Sequence, residues 1–336
     1  MARLAQATTW LLLALAALAG CGSTDGVDVY VAGYESNGSF PVATLWKNDA
    51  PQRLADGLSL ATAIAASGHD VYVAGGVYDG SVALATYWRN GAAVTLTNGG
   101  TQSFAEAIAV EEGHVYVAGY EGLAAMLWQD GVPATLTDGS SEAAGLAVAV
   151  RGGDVYVAGY EIAVTEVAPG QFVLANVAKV WRNGVPQPLS DGTHEAVARA
   201  IAVDQAGGVY VAGWERTDAG LFARLWVDGA PVSLTDGIYG AKANAVVVLD
   251  GTDRLVAGGE YDGITDVAKV WRNGLPTDLT AGPDPGFVEA LAAQGGDVYA
   301  AGYHGAVATY WKNGAPVALT DGRFDADARA IAIVHR

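Results

Sequence analysis

The sequence predicts an all-β fold, a seven-bladed β-propeller of four-stranded antiparallel blades closed by the C-terminal strand pairing into the first blade. Three observations lead there. A segment typified by Asp28-Val29-Tyr30-Val31-Ala32-Gly33 occurs seven times, and a Trp follows each copy. Each unit holds four strand-length pieces separated by turn residues. The first unit lacks its first strand, and the chain ends on a strand that has no successor.

The repeats come first because a fixed period decides architecture before any local preference does. The Asp-Val-Tyr-Val-Ala-Gly segment recurs at 70–75 and 154–159, with variants at 114–119, 208–213, 253–258 and 297–302. The following tryptophans are Trp46, Trp88, Trp128, Trp181, Trp226, Trp271 and Trp311. A Leu-Thr-Asp-Gly-like piece comes next, as at 136–139, and then an Ala-x-Ala-Ile-Ala-Val piece, as at 105–110. Each piece is short, rich in β-branched or aromatic residues and bounded by Gly, Asn or Asp, which is how strands read. We name the strands A (Ala-Ile-Ala), B (Val-Tyr-Val-Ala-Gly), C (ending at Trp) and D.

The turns give the same strand count. Between C and D stand Asn48-Asp49, Asn90-Gly91, Asp130-Gly131, Asn183-Gly184, Asp228-Gly229, Asn273-Gly274 and Asn313-Gly314. Such pairs suit a two-residue type I′ hairpin, whose central residues both take positive φ. Between B and C the Trp spacing places the turn on Asn37-Gly38, Asp79-Gly80, Glu121-Gly122, Asp262-Gly263 and His304-Gly305. The terminal Ala328-Arg329-Ala330-Ile331-Ala332-Ile333 is a strand A without a B, so it is expected to complete the first blade and hide its edge.

Over residues 28–334 the repeat resembles the Val-Tyr-Val-Ala-Gly…Trp-Lys-Asn-Gly repeats of bacterial propeller lipoproteins, a resemblance specific for fold and weak for function. The Gly-His…Trp-Asp signature of WD40 repeats is absent. A kelch-like Gly doublet stands only at Gly75-Gly76 and Gly258-Gly259. The Asp-box of sialidase-like propellers is missing too, which removes the main reason to infer a glycosidase.

Residues 1–20 read as an export signal, with Arg3 as a basic start and an apolar run from Trp10 to Leu18 too short to span a bilayer. Leu18-Ala19-Gly20-Cys21 resembles the lipobox of bacterial lipoproteins, which implies that Cys21 becomes the acylated first residue of the mature chain. Gly22 in place of Asp implies the outer membrane in a diderm cell. Residues 21–27 form a tether that reaches about 20 Å when extended, and residues 28–336 form the propeller. Cys21 is the only cysteine, so no intramolecular disulfide is possible.

Loss of Arg3, the only charge in residues 1–20, takes the formal charge from −18 to −19. So acidic a body repels phosphate backbones, which argues against a nucleic-acid partner. The five histidines, His69, His114, His194, His304 and His335, lack metal-ligand spacing. No calcium loop, nucleophile elbow, phosphate loop or dinucleotide fingerprint is present, so neither a metal nor another cofactor is expected.

Three groups of residues are candidate sites. Just after strand B stand Tyr34-Glu35, Tyr120-Glu121, Tyr160-Glu161 and Trp214-Glu215, with Glu260 and Tyr303-His304 at the matching places in later blades. A ring of aromatic faces and carboxylates on the top face, where the B–C and D–A loops gather, suits sugars or cationic groups. Repeated positions also serve the scaffold, and both readings stand. The start of strand A varies more: Thr62, Glu106, Leu146, Arg199, Asn244, Glu289 and Arg329. Alternation puts these near the mouth of the central channel, where they either hold a ligand or pair with one another. The third group lies on the long B–C connection of blade 4, whose two β-rich arms flank Pro169-Gly170 and carry Ile162, Val164, Phe172 and Leu174. A long hairpin is expected there, docking a partner or folding back over the channel mouth.

The function expected from all this is a lipid-anchored envelope propeller that binds or scaffolds a protein or glycan partner. The alternatives are an enzyme acting on envelope polysaccharide and a subunit of an outer-membrane assembly. The anchor is directly testable. Cys21→Ser should abolish fatty-acid labelling and move the protein from the membrane to the soluble fraction; a mutant that still labels and still sediments would refute the lipobox assignment.

Overall fold

The computed structural model describes residues 26–249 and 252–336; the leader and Cys21 lie outside the described residues. The strands form seven four-stranded antiparallel sheets, each in the order A-B-C-D, and the molecule is a seven-bladed β-propeller. Blade 1 takes its strand A from Ala326–His335 and its other strands from Val27–Ser36, Pro41–Lys47 and Ala50–Arg53. The remaining blades follow in chain order, each contributed by one continuous segment.

The C–D turns adopt what the sequence asks. Asn90 and Gly91 have φ of 52° and 84°, and all seven turn pairs have positive φ at both residues. The first turn residue has a second task. Its side-chain oxygen accepts a hydrogen bond from the backbone N–H that opens strand B, at 2.9 Å in each of the seven blades, as from Val71 to Asn90 Oδ1 and from Val115 to Asp130 Oδ1. In five blades the Asn amide also donates to the Asp before strand B, as Asn90 does to Asp70 at 2.7 Å. The residue between Trp and Asn pairs with the same carboxylate: Lys47 with Asp28 at 3.0 Å, Lys312 with Asp297 at 3.0 Å. The pattern Asp before strand B with Trp-Lys/Arg-Asn at the C–D turn is therefore a bottom-face latch in those five blades.

The B–C turns differ from expectation by one residue. Asn37 pairs with Phe40, Asp79 with Val82 and Asp262 with Thr265, so the turns are Gly38-Ser39, Gly80-Ser81 and Gly263-Ile264. Blades 3 and 7 turn on Gly122-Leu123 and Gly305-Ala306. Gly takes positive φ alone, at the first central position, which is the type II′ arrangement. Asn37 and Asp79 end strand B, and their side chains accept from the turn amides instead.

Packing between blades rests on the tryptophans. All seven indoles are essentially inaccessible to water. Each wedges against a small-residue surface on the preceding blade: Trp128 on Ala74 and Ala85, Trp181 on Ala118 and Ala125, Trp226 on Ala158 and Ala178. The ring closes in the same way, because Trp46 of blade 1 packs on Ala301 and Ala308 of blade 7.

Closure by the last strand is complete in register, with Val27 opposite His335 and Glu35 opposite Ala326. Ala328, Ala330 and Ile331 are buried. Deleting residues 327–336 removes a whole inner strand and leaves the ladder groups of Val27–Ser36 unpaired. The truncated protein should melt at least about 10 °C lower than the intact chain. An unchanged melting temperature would refute the closure.

Candidate functional site

Subtracting the scaffold isolates the site. The latch, the turns and the tryptophan wedge account for most residues that recur in every blade. The exceptions lie at the inner end of strand A, on the top face.

There the seven strands A share one distortion. Each carries a β-bulge opposite the Gly that ends the Val-Ala-Gly segment, with register shifts at Ala61/Ala63, Ala105/Ala107 and the five equivalents. The extra residues are Thr62, Glu106, Leu146, Arg199, Asn244, Glu289 and Arg329, the seven singled out in the sequence. The Gly is sterically required. A Cβ at Gly119 would lie 1.9 Å from the Phe104 carbonyl oxygen, and the six equivalent glycines give 1.9 or 2.0 Å. The close approach lets the bulge form, and the bulge aims its extra residue into the channel. These seven side chains line a 350 Å³ cavity on the propeller axis. Below them Ile64, Ile108, Val148, Ile201, Val246, Leu291 and Ile331 line the continuing channel with apolar side chains.

Above the ring the channel widens into a cleft of about 890 Å³, lined by residues of blades 3 to 7. Tyr120, Tyr160, Trp214 and Tyr303 stand around it, each half-buried, with Asn176, Lys242 and Asp266 between them. The aromatic–acid pairs therefore divide. Neighbouring strand residues face opposite ways, so the aromatic enters the cleft and the acid turns from it. Glu161 is ion-paired with Lys179, Glu215 with Arg224 at 2.8 Å and Glu260 with Lys269 at 3.3 Å. Glu35, Glu121 and His304 do not line the cleft, and Tyr34 lies beneath the Arg329 guanidinium, 5.1 Å from its ring centroid. The cations of these pairs were legible: Lys179, Arg224 and Lys269 stand two residues before Trp181, Trp226 and Trp271, where other blades have Thr or Met.

Blades 2 and 6 have Gly76 and Gly259 in place of the aromatic, and the next blade fills the space. A Cβ at Gly76 would lie 2.3 Å from the Phe104 ring, and one at Gly259 2.4 Å from Phe287. Each Phe also stacks on its own blade's tyrosine, Phe104 on Tyr120 and Phe287 on Tyr303, with centroids 6.5 Å apart. The Gly doublets thus relocate an aromatic from one blade to the next.

The floor is charged. Asn244 donates to Glu289 at 2.6 Å, and Arg329 to Asp327 at 3.2 Å. Glu106 sits deep in the channel, and loss of hydration pushes its carboxyl up despite the opposing fields of Arg199 and Arg329. Arg199 makes no hydrogen bond or ion pair among the described residues and is open to the cleft. Mutual pairing therefore accounts for part of the ring, and Arg199 is outside it. Among the described residues no three His, Cys, Asp or Glu side chains converge as a metal site would require.

The blade 4 connection is a long hairpin, Asp154–Ala168 with Gln171–Arg182, turning at Pro169-Gly170. One face packs down, with the Thr165 hydroxyl so close to Gly192 that a Cβ there would lie 2.5 Å from it. The other face carries Ile162, Val164, Leu174 and Phe172 in line with Tyr160 and Asn176 of the cleft wall. Val164, Phe172 and Leu174 are 66, 64 and 67% exposed, so this face does not fold over the channel mouth. Ile238, Tyr239, Tyr261 and Ile264 of blades 5 and 6 extend the exposed apolar rim.

No protein-family model matches the chain, and no curated protein matches it. A solved structure similar to it is Kuenenia stuttgartiensis Hydrazine Synthase, at 11% identity and a TM-score of 0.49 over 92% of this chain. The match covers 47% of that structure's chain, so this protein spans about half its length.

Asp327 gives the floor a measurable signature. It is 7% exposed, and its Oδ1 has no hydrogen-bond partner. Burial, then the Glu289 carboxylate, push its pKa from 3.8 up to about 6, against the pull of Arg329. A carboxyl raised in the folded state destabilises the fold when ionised, and that cost is relieved as pH falls from about 6 toward 3.8. Asp327→Asn should therefore stabilise the protein at pH 7.5 by about 1–3 kcal/mol in denaturant titrations. The gain should shrink toward zero at pH 4. An equal gain at both pH values would contradict a raised Asp327.

Proposed function

We propose that this chain is a lipid-anchored cell-envelope protein whose propeller is a binding module, with a glycan held in the top-face cleft. The single observation that carries the reading is the cleft lining. Four half-buried aromatic side chains surround a floor of amide and charged groups, and none of these residues belongs to the latch or to the tryptophan wedge. Aromatic faces accept the C–H faces of a pyranose, while Asn176 and Asn244 offer paired donors and acceptors to hydroxyls. The volume suits a few sugar units. The lipobox-like leader supports an envelope location, where glycans abound.

A second reading, a protein partner, is favoured by the exposed face of the blade 4 hairpin. Three large apolar side chains there are each about two-thirds exposed, more than a solvated ribbon needs.

One experiment separates the two. Full-length acylated protein in detergent is presented with an array of neutral and acidic bacterial oligosaccharides, and with membranes from its own cell. Trp214→Ala, with its melting temperature recorded, should lower oligosaccharide binding at least about tenfold, the size of one well-placed contact. Phe172→Asp with Leu174→Asp should leave it unchanged. If the hairpin variant instead loses a membrane protein that Trp214→Ala retains, the protein-partner reading replaces the glycan one. Cleavage of a bound oligosaccharide that Glu106→Gln or Glu289→Gln abolishes would establish an enzyme.

A further inference from the structure

We propose that the cleft selects an acidic saccharide, the carboxylate of a uronate ring being held by the Arg199 guanidinium and the Lys242 ammonium. This rests on the reading of the cleft as a glycan site and narrows its ligand class.

The inference starts from charge. The protein carries −18 overall, with 36 acidic residues against 18 Lys and Arg. In so acidic a molecule a cation finds a carboxylate easily, and most do. Lys47 has Asp28, Arg182 has Asp154 at 2.6 Å and Lys269 has Asp278 at 2.7 Å. Arg199 and Lys242 have no such partner among the described residues. Lys242 lies over the Trp214 ring, 5.2 Å from its centroid, and makes no hydrogen bond among the described residues. Both are exposed by area, yet both line the cleft. They are therefore hydrated within a concave site, not buried by packing.

Their positions make them neighbours. Arg199 is the bulge residue of strand A in blade 5 (Ala196–Val203), and Lys242 lies two residues before the bulge of strand A in blade 6 (Ala241–Val248). Trp214, opposite Val197 on strand B of blade 5, stands under Lys242, and all three line the same cleft. The carboxylate whose field reaches Arg199 is Glu106, which lies deep in the channel.

Carboxylates do line the cleft, but each is engaged or set apart. Glu289 accepts from Asn244. Glu106 lies deep on the axis, where loss of hydration favours its protonated form. Asp266 is on strand C of blade 6 (Asp266–Arg272), farther from the axis. The charge left for a ligand at the blade 5–6 corner is positive.

The form of the anion follows from the rest of the lining. Asn176, Asn244 and the tyrosines suit the hydroxyls and ring faces of a sugar. A guanidinium fits a planar carboxylate in a bidentate manner. A long polyanion meets the acidic exterior, so a short or terminal uronate is favoured.

The test uses full-length protein in detergent and calorimetric titration with galacturonate and glucuronate oligosaccharides of two to four units. Each is paired with its carboxyl-reduced neutral counterpart. We expect the acidic form to bind at least about tenfold tighter than the neutral one, a difference of about 1.4 kcal/mol, and Arg199→Gln or Lys242→Gln to erase most of that preference because each removes a charge-assisted hydrogen bond. Both side chains line the cleft, so the readout is the ratio of acidic to neutral affinity, which should fall toward one in each variant while the neutral form loses less than the acidic form. Equal binding of the acidic and neutral forms, with Trp214→Ala abolishing both, would overturn the uronate assignment and leave the glycan site standing. Binding of neither form would overturn both. Competition by inorganic phosphate as strong as that of the uronate would also overturn it, reducing the corner to a general anion site.

Discussion

The contact on which the structure depends is the wedge of each tryptophan against two alanines of the preceding blade. Seven copies of one contact set the spacing of the blades and close the ring, from Trp46 on Ala301 and Ala308 round to Trp311 on Ala257 and Ala268. The indole N–H groups of Trp46, Trp88, Trp128, Trp181 and Trp226 have no hydrogen-bond partner. Leaving such a donor unpaired costs about 1–3 kcal/mol. Burying an indole removes about 150–250 Å² from water, worth about 4–6 kcal/mol at 25 cal/mol/Å². Burial outweighs the lost hydrogen bond, and the wedge tolerates it. The alanines are as necessary as the indole, because a larger residue at Ala85 or Ala118 would push the blades apart.

A second constraint, that only Gly fits at the end of strand B, turns this regular scaffold into a site. The Gly admits the strand A bulge, and the bulge releases one residue per blade from the ladder. The released residue faces the axis whatever its identity. The fold thus holds seven positions where the backbone is fixed and the side chain is free, and the chain fills them with four charged residues, Thr62, Asn244 and Leu146.

Much of this was legible in the sequence. The blade count, the C–D turns, the closure by residues 328–333 and the seven axial positions follow from the repeat alone, because each repeated residue answers one backbone demand. The B–C turns were misplaced by one residue, since Asn-Gly and Gly-Ser both suit a two-residue turn and the choice depends on the pairing of Asn37 with Phe40. The aromatic–acid pairs read as one feature and are two, because period-2 alternation sends Tyr160 into the cleft and Glu161 to Lys179. Lys242 was not legible at all. Nothing in its neighbourhood in the chain marks it, and its place beside Trp214 arises only when two blades meet.

The cleft is one-sided on a sevenfold scaffold, and the sequence changes that break the symmetry can be named. In blade 2 the aromatic is Gly76, and Phe104 of blade 3 occupies its place. In blade 1, Tyr34, Arg329 and Asp327 lock one another, with the guanidinium over the ring and the carboxylate on the guanidinium. That side of the top face is thereby filled or neutralised. On the far side the strands rise instead of stopping. The blade 4 hairpin extends the wall above Tyr160 and Asn176, and blades 5 and 6 add Leu221 and Tyr261. Arg199 and Lys242 belong to that side, where neither has a hydrogen-bonded or ion-paired partner among the described residues. A repeat protein acquires a directional site by this route without altering its latch or its wedge: close one side with internal partners and leave the other unsatisfied.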